Sequence, residues 1–339
     1  MRTIAWSDEN GGAITLIDQT LLPLQEESLL ITNHFQLIDA IKRLAVRGAP
    51  ALGVAGALGV ALIVKEAEQG SLTGEEVSVA IDQLRCARPT AVNLAWGVDQ
   101  VLPHVTSGFA QVLEQALALS DKDGLANRQM GRNGADFLIS LTGANAENKL
   151  RILTHCNTGA LATTDWGTAL GVVRELHERN VVQEVFADET RPLLQGSRLT
   201  AWELKKLKID YRILPDGAAA SALFSGVIDA VLIGADRIAK NGDTANKIGS
   251  LGLAISASQV GVPFLVVAPE STIDRGIESG SQIEIEFRDD KEVTTFAGIS
   301  VAPEGSKTYN PAFDVTPARY ISAIVTERKV YQLAHGETL

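Results

Sequence analysis

Hydrophobic and polar positions along this chain follow two rhythms, and the change falls near residue 150. Between about Thr32 and Ser140, apolar residues recur at three- and four-residue spacing in FQLIDAIKRL, VSVAIDQLR and FAQVLEQALAL, which predicts helices. Ahead of them, TIAW, AITLID and SLLIT are separated by polar turns and predict short antiparallel strands. Around Leu119 to Lys149 the chain turns polar and Asn-rich, with SDKDG and TGANAENK, and a domain boundary or connecting helix is expected there. After Leu150, short apolar runs (RILTH, QEVFAD, DYRIL, DAVLIGA, PFLVVA) alternate with helical segments such as GTALGVVRELHER, SRLTAWELKKL and ANKIGSLGLAISA. That alternation predicts a parallel sheet with helices on both faces. The expectation is an α/β protein with three parts. Residues 1–120 form a smaller, mainly helical domain with a short antiparallel sheet, 121–149 a connecting segment, and 150–339 a doubly wound domain.

The stretch GAPALGVAGALGVALIV, Gly48 to Val64, is at the lower length limit for a membrane span. It is mostly Gly, Ala and Val and nothing like it recurs, so a helix buried in a soluble domain is expected. With 339 residues, two domains fit the usual sizes, and a hydrophobic fraction of 45% supplies a core. A net charge of -11 argues against a nucleic-acid partner, which needs a surplus of Lys and Arg on one face. It leaves room for a small phosphorylated ligand, which needs two or three well-placed cations. Two cysteines, Cys86 and Cys156, are too few for a disulfide framework and suit a reduced, cytoplasmic setting. MRTIAWSDENGG has no apolar stretch of the signal-peptide kind. Zinc spacing, P-loop and dinucleotide fingerprint are absent, so neither metal nor cofactor is expected. The GVAGALG glycines fall at every third position, which is not the dinucleotide order.

Doubly wound sheets bind ligands beyond the carboxyl ends of their strands. Here those ends read Thr154-His155-Cys156-Asn157-Thr158-Gly159, Asp188-Glu189-Thr190-Arg191, Pro215-Asp216-Gly217 and Gly234-Ala235-Asp236-Arg237. Cys156 follows a strand and precedes a helix expected near Thr164 or Asp165, where backbone N–H groups favour a thiolate. The ordinary alternative is a buried cysteine acting as a small hydrophobe. Asp236 follows VLIGA, so desolvation should raise its carboxyl pKa toward the range useful for proton transfer. Its alternatives are an ion pair with Arg237 or a helix N-cap.

Arg47 precedes Gly48, where the backbone can approach a ligand closely, and Pro50 suits the first turn of the apolar helix. A helix N-terminus there would suit an anion. Arg88, in CARPTAVN, repeats the arrangement. Asn246 and Lys247 lie near the start of another helix, and Lys247 could reach a phosphate. His155 is a third acid–base candidate or a supporting donor.

Together these segments resemble the methylthioribose-1-phosphate isomerase family. The strings that carry the likeness are AVRGAPALG, ARPTAVNLAW, ILTHCNTGALATTDWGTALGV, DETRPLLQGSRLTAWEL, IGADRIAKNGDTANKIG and NPAFDVTP, spread between residues 45 and 317. The resemblance implies an aldose–ketose isomerase acting on 5-methylthioribose 1-phosphate or a 5-deoxy analogue. It implies a homodimer with a Rossmann-like C-terminal domain, needing no metal or cofactor. Carried over by motif, the catalytic residues are Cys156 and Asp236. The substrate-binding residues are Arg47, Gly48, Ala49, Arg88, Gln195, Asn246 and Lys247. Thr158 stands where alanine is expected, and Thr164-Asp165-Trp166 where a Gly and a Tyr are common. Related readings are a ribose 1,5-bisphosphate isomerase and a non-catalytic regulatory subunit like those of translation initiation factor 2B.

Overall fold

The computed structural model describes residues 2–88, 92–333, 337 and 339. Pro89, Thr90 and Ala91 of the ARPTAVN motif therefore lie outside the described residues. The three alternating segments at the start form β1 (Ile4–Ser7), β2 (Ala13–Ile17) and β3 (Ser28–Ile31), an antiparallel sheet in chain order. Helices α1 (His34–Lys42), α2 (Ala49–Glu68), α3 (Gly74–Arg85) and α4 (Val92–Val101) follow. Asn33 caps α1 by accepting the Gln36 amide, and Thr73 with Glu76 closes a capping box on α3. Their apolar faces meet in one core with Ile4, Ile14, Leu37, Leu58, Leu84 and Val98.

Helix α2 is that core's centre. It is long and apolar enough to cross a membrane, yet every residue from Ala51 to Glu66 is buried within the protein. An all-round apolar surface is what a fully enclosed helix requires. The glycines set the spacing: a Cβ on Gly97 of α4 would overlap the Gly53 carbonyl of α2. At the far end of α2, buried Lys65 donates to the Gly12 carbonyl. Glu66 accepts from the His34 amide at 2.7 Å and meets its Nδ1 at 2.9 Å, so neither buried charge is left alone.

Helix α5 (Phe109–Thr142) runs for 34 residues and contains SDKDG within it. Two of those polar residues, Asp121 and Asp123, bond to distant parts of the chain, Asp121 to Arg2 and Asp123 to Thr164. Asp123 accepts from the Thr164 amide (3.0 Å), the Thr164 hydroxyl (2.7 Å) and Asn127 (2.9 Å). Val112 and Ala116 of α5 sit in the first core, whereas Met130, Ala135 and Leu138 sit in the second. Gly143, in the left-handed conformation, ends the helix.

The remaining chain forms β4 (Leu150–Thr154), α6 (Ala169–Glu178), β5 (Val182–Asp188), α7 (Ala201–Leu207), β6 (Tyr211–Leu214), α8 (Ala219–Phe224) and β7 (Ala230–Ile233). Then come β8 (Arg237–Ala239), β9 (Thr244–Lys247), α9 (Ser250–Val260), β10 (Phe264–Val267), β11 (Ile273–Asp274), α10 (Lys291–Thr294), β12 (Thr295–Phe296) and β13 (Ile299–Ser300). Last are β14 (Phe313–Thr316), β15 (Ala323–Val325) and β16 (Val330–Tyr331). The main sheet has the order β16-β15-β10-β7-β4-β5-β6 and is parallel except for the β16 edge. All five expected runs are in it. Helices α5 and α6 cover one face, α8 and α9 the other. The chain winds outward from β4 to β6, then returns to place β7, β10 and β15 on the opposite side. The switch point lies between β4 and β7.

Two local expectations need correction. The helix after Cys156 begins at Ala169, not at Thr164 or Asp165. Gly167, at φ 99°, bridges back to Gly159 and keeps the intervening residues in a loop. Asn246 and Lys247 end strand β9 rather than opening a helix, which starts at Ser250. Strand β9 pairs with β8 and β14 in a small second sheet of order β11-β8-β9-β14.

Candidate active site

The two strands flanking the switch point are followed by His155-Cys156-Asn157 and Gly234-Ala235-Asp236. Beyond them opens a cavity. Arg47, Gly48, Ala49, Arg88, Cys156, Gln195, Asp236, Asn246 and Lys247, drawn from six separate stretches of chain, all line it.

Cys156 is buried and carries a φ of 64°, a conformation that non-glycine residues adopt only when their surroundings enforce it. Its amide donates to Thr190 Oγ1 at 2.9 Å and its carbonyl accepts from the Thr200 hydroxyl at 2.6 Å. The next residue is tied as firmly. Asn157 Nδ2 donates to Glu203 Oε1 at 2.7 Å, and the other Glu203 oxygen accepts from the Ala160 amide at 2.7 Å. Arg47 donates to both the carbonyl (3.0 Å) and the side-chain oxygen of Asn157, which brings its Nη1 to 4.0 Å from the Cys156 sulfur.

Asp236 makes neither an ion pair with Arg237 nor a helix cap. Arg237 pairs with Asp274, and the Asp236 amide donates to the Ala245 carbonyl at 2.9 Å. Burial pushes the Asp236 carboxyl pKa up. Lys247, Arg88 and Arg47 pull it back without cancelling the rise. Burial likewise lowers the Lys247 pKa, against the opposing influence of Cys156 and Asp236. Lys247 Nζ lies 4.8 Å from the centroid of the Phe313 ring. Burial also lowers the pKa of Arg88, which stays a cation because a guanidinium does not deprotonate in proteins. Gln195 Oε1 and Arg47 Nε are buried without hydrogen-bond partners among the described residues. Such orphaned groups in a polar cavity suit a ligand that supplies what they lack.

Gly48 precedes α2, whose first turn contains Pro50, and the opening of this helix faces the cavity. Its φ of 92° requires glycine, and a Cβ there would overlap the Ala162 carbonyl. The close approach is thus to the protein's own backbone, from the loop after Cys156. Glu286, Arg288 and Phe313 complete the wall and were not singled out by sequence. Arg288 pairs with Glu286 at 2.7 Å and with Glu292 at 2.5 Å. An acidic-basic pair in a segment without helical or strand rhythm reads as surface until folding brings it inward.

Among the unusual residues, Thr158 lines the cavity, whereas Thr164, Asp165 and Trp166 turn toward α5. Asp165 pairs with Arg128 at 2.6 Å, and the Trp166 ring lies between the guanidinium groups of Arg128 (4.2 Å) and Arg174 (3.6 Å). His155 also stays outside the cavity. With Asp188 and Asp216 it forms a group whose ligand-type atoms lie within 4.8 Å of one another. Sequence spacing hid this cluster, because its members come from three strand ends. Both Asp216 oxygens accept main-chain amides, from Thr190 at 2.7 Å and Arg191 at 2.6 Å, and Asp188 Oδ2 meets His155.

The profile of the initiation factor 2 subunit family matches residues 45–332. A protein of Acetivibrio thermocellus named methylthioribose-1-phosphate isomerase is 46% identical over 97% of this chain and 96% of its own. A protein of Nocardia farcinica, named a probable bifunctional methylthioribose-1-phosphate isomerase/methylthioribulose-1-phosphate dehydratase, is 48% identical over 98% of this chain. This chain spans 59% of that longer protein. Among solved structures, the 5-methylthioribose 1-phosphate isomerase of Pyrococcus horikoshii superposes with a TM-score of 0.87 at 38% identity, covering 98% of this chain and 92% of that one. An A. fulgidus structure named translation initiation factor eIF-2B subunit delta gives 0.84 at 39% identity, covering 99% and 97%. By profile, identity over nearly its full length and fold, this chain belongs to the methylthioribose-1-phosphate isomerase family, within the initiation factor 2 subunit family.

Proposed function

We propose that this chain is an aldose–ketose isomerase of methionine salvage, converting 5-methylthioribose 1-phosphate into 5-methylthioribulose 1-phosphate. The observation that carries the reading is one cavity in which a cysteine and a carboxyl of raised pKa stand on adjacent strand ends, ringed by Arg47, Arg88 and Lys247. A 1-phosphorylated furanose has no free aldehyde, so its ring must open first. Asp236, protonated, gives its proton to the ring oxygen as the bond from that oxygen to C1 breaks. The hydrogen on C2 then moves to C1 while the C2 hydroxyl, becoming the ketone, returns a proton to the Asp236 carboxylate. Cys156 serves as the base if that hydrogen leaves as a proton, and polarises the centre if it migrates as hydride. The step is redox-neutral and needs no external electron acceptor.

Arg47, Arg88 and the opening of α2 are assigned to the phosphate, with Lys247, Asn246 and Gln195 on the sugar. Charge-assisted hydrogen bonds of this kind contribute about 1.5–3 kcal/mol each. Arg47→Ala and Arg88→Ala are each expected to weaken substrate binding about tenfold or more while the fold survives, measured by titration calorimetry. Normal binding by both variants would move the phosphate elsewhere. Unpaired Cys86 and Cys156 suit a cytoplasmic enzyme, and a homodimer belongs to the same reading.

The name of the A. fulgidus neighbour keeps a regulatory role as the competing reading. A coupled assay with 5-methylthio-, 5-deoxy- and 5-phospho-ribose 1-phosphate separates the possibilities. Fastest turnover of the 5-methylthio sugar is expected. Preference for the 5-phospho sugar would make it a bisphosphate isomerase, and no turnover of any would favour the regulatory role.

A further inference from the structure

His155 sits one residue before Cys156, is 1% exposed and does not line the cavity. Its ring nitrogens face two acceptors: Nδ1 lies 2.9 Å from Asp188 Oδ2, and Nε2 lies 2.8 Å from the Ile248 carbonyl. A neutral imidazole has one N–H and can satisfy only one of them. An imidazolium satisfies both. These contacts join the end of β4, the end of β5 and the turn that directly follows Asn246 and Lys247. Asp188 acts twice. Its carboxylate holds the ring, and its carbonyl accepts from the Thr190 hydroxyl (3.1 Å), whose oxygen in turn accepts from the Cys156 amide (2.9 Å). The turn after β9 is shaped to the ring, since Gly249 has a φ of 109° and a Cβ there would come within 2.8 Å of His155 Cε1.

We propose that His155, held as an imidazolium between Asp188 and the Ile248 carbonyl, is a positioning residue that locks the left-handed turn at Cys156 against the Lys247 segment and sets the reactivity of the thiol. The proposal takes from the isomerase reading only that Cys156 is the reactive thiol. Charged groups face the ring from every packed element: Asp188 at the end of β5, Asp216 after β6 and Asp314 on β14. On the Cys156 side stand Arg47 and Lys247. Burial works against a charged ring, yet the bond to Asp188, its charge and the Ile248 carbonyl outweigh it and raise the His155 pKa. The stability this supplies is complete below about pH 6.5, the ordinary histidine value, and is lost as pH rises through the raised folded value.

The test uses the full chain with Cys86→Ser, leaving Cys156 as the single thiol. The rate of alkylation by iodoacetamide is followed against pH, with and without His155→Asn. The variant retains a donor toward Asp188 but loses the charge and the bond to Ile248. Its alkylation profile is expected to move up by about half a pH unit or more. Turnover should fall at least about tenfold with KM changed less than about threefold, the pattern of a group acting through another. An unchanged profile with turnover within twofold, in a folded variant, would overturn the proposal. Nitrogen-15 spectra of histidine-labelled wild-type protein near pH 7.5 test the imidazolium independently. Both His155 ring nitrogens should carry protons, and one bare nitrogen overturns the proposal whatever the variant does. Neither the thiol profile nor the spectrum uses substrate, so both decide the matter even if the isomerase reading fails.

Discussion

Asp236→Asn is expected to lower turnover by about 10²–10⁴, the usual contribution of a general acid, while substrate binding changes little. The amide keeps the carboxyl's shape but has no exchangeable acid. Burial raises the Asp236 pKa, so the protonated form persists to higher pH than in an ordinary aspartate and is lost as pH rises through the raised value. The alkaline decline of the wild-type rate should therefore report this group. Linkage fixes the sign of a second effect. A carboxyl with a raised folded pKa destabilises the fold once pH exceeds its unfolded value near 3.9, so the neutral amide should leave thermal stability equal or higher. A variant that is stable, binds substrate and fails to turn it over identifies a catalytic group. Near-wild-type turnover would remove Asp236 from the chemistry.

Cys156→Ser is expected to cost a comparable factor. A hydroxyl fills the same space, and both hydrogen bonds that hold this turn, to Thr190 and from Thr200, are made by the Cys156 main chain. The strained φ is therefore kept and the fold should survive, as circular dichroism would verify. What is lost is the sulfur nucleophile, whose role as a base a serine hydroxyl cannot take at neutral pH. Wild-type rates in this variant and in Asp236→Asn together would favour a regulatory protein on the same fold.

The strand ends were legible because a doubly wound sheet gathers whatever follows its strands onto one edge. Cys156 and Asp236, 80 positions apart in sequence, become neighbours because β4 and β7 pair across the switch point. Arg47 and Arg88 were legible from residue type beside glycine, proline and helix. Their approach to the same cavity was not, because it depends on how α2 packs against the loop after Cys156. A connecting helix was one of two readings of the polar stretch that contains SDKDG, and the sequence could not choose between them: Asp123 satisfies Thr164, 41 residues away, and local propensity cannot register a distant partner. The sheet of β8, β9, β11 and β14 was invisible because its strands have two to four residues, too few for a period to show. Glu286 and Arg288 were missed because charge in irregular chain carries no directional signal, and Phe313 because the four-residue β14 that it opens is too short for a period to show.

Location of the chemistry in this cavity is tested most directly by alkylating the wild-type protein with iodoacetamide, with and without saturating 5-methylthioribose 1-phosphate, and mapping both cysteines by mass spectrometry. Cys86 is exposed and serves as the internal control, whereas Cys156 lies in the cavity wall. Substrate is expected to slow modification of Cys156 by about tenfold or more, as occupancy of a site blocks its thiol, and to leave Cys86 unaffected. Equal modification of Cys156 with and without substrate, under conditions where turnover is observed, would place the active site elsewhere.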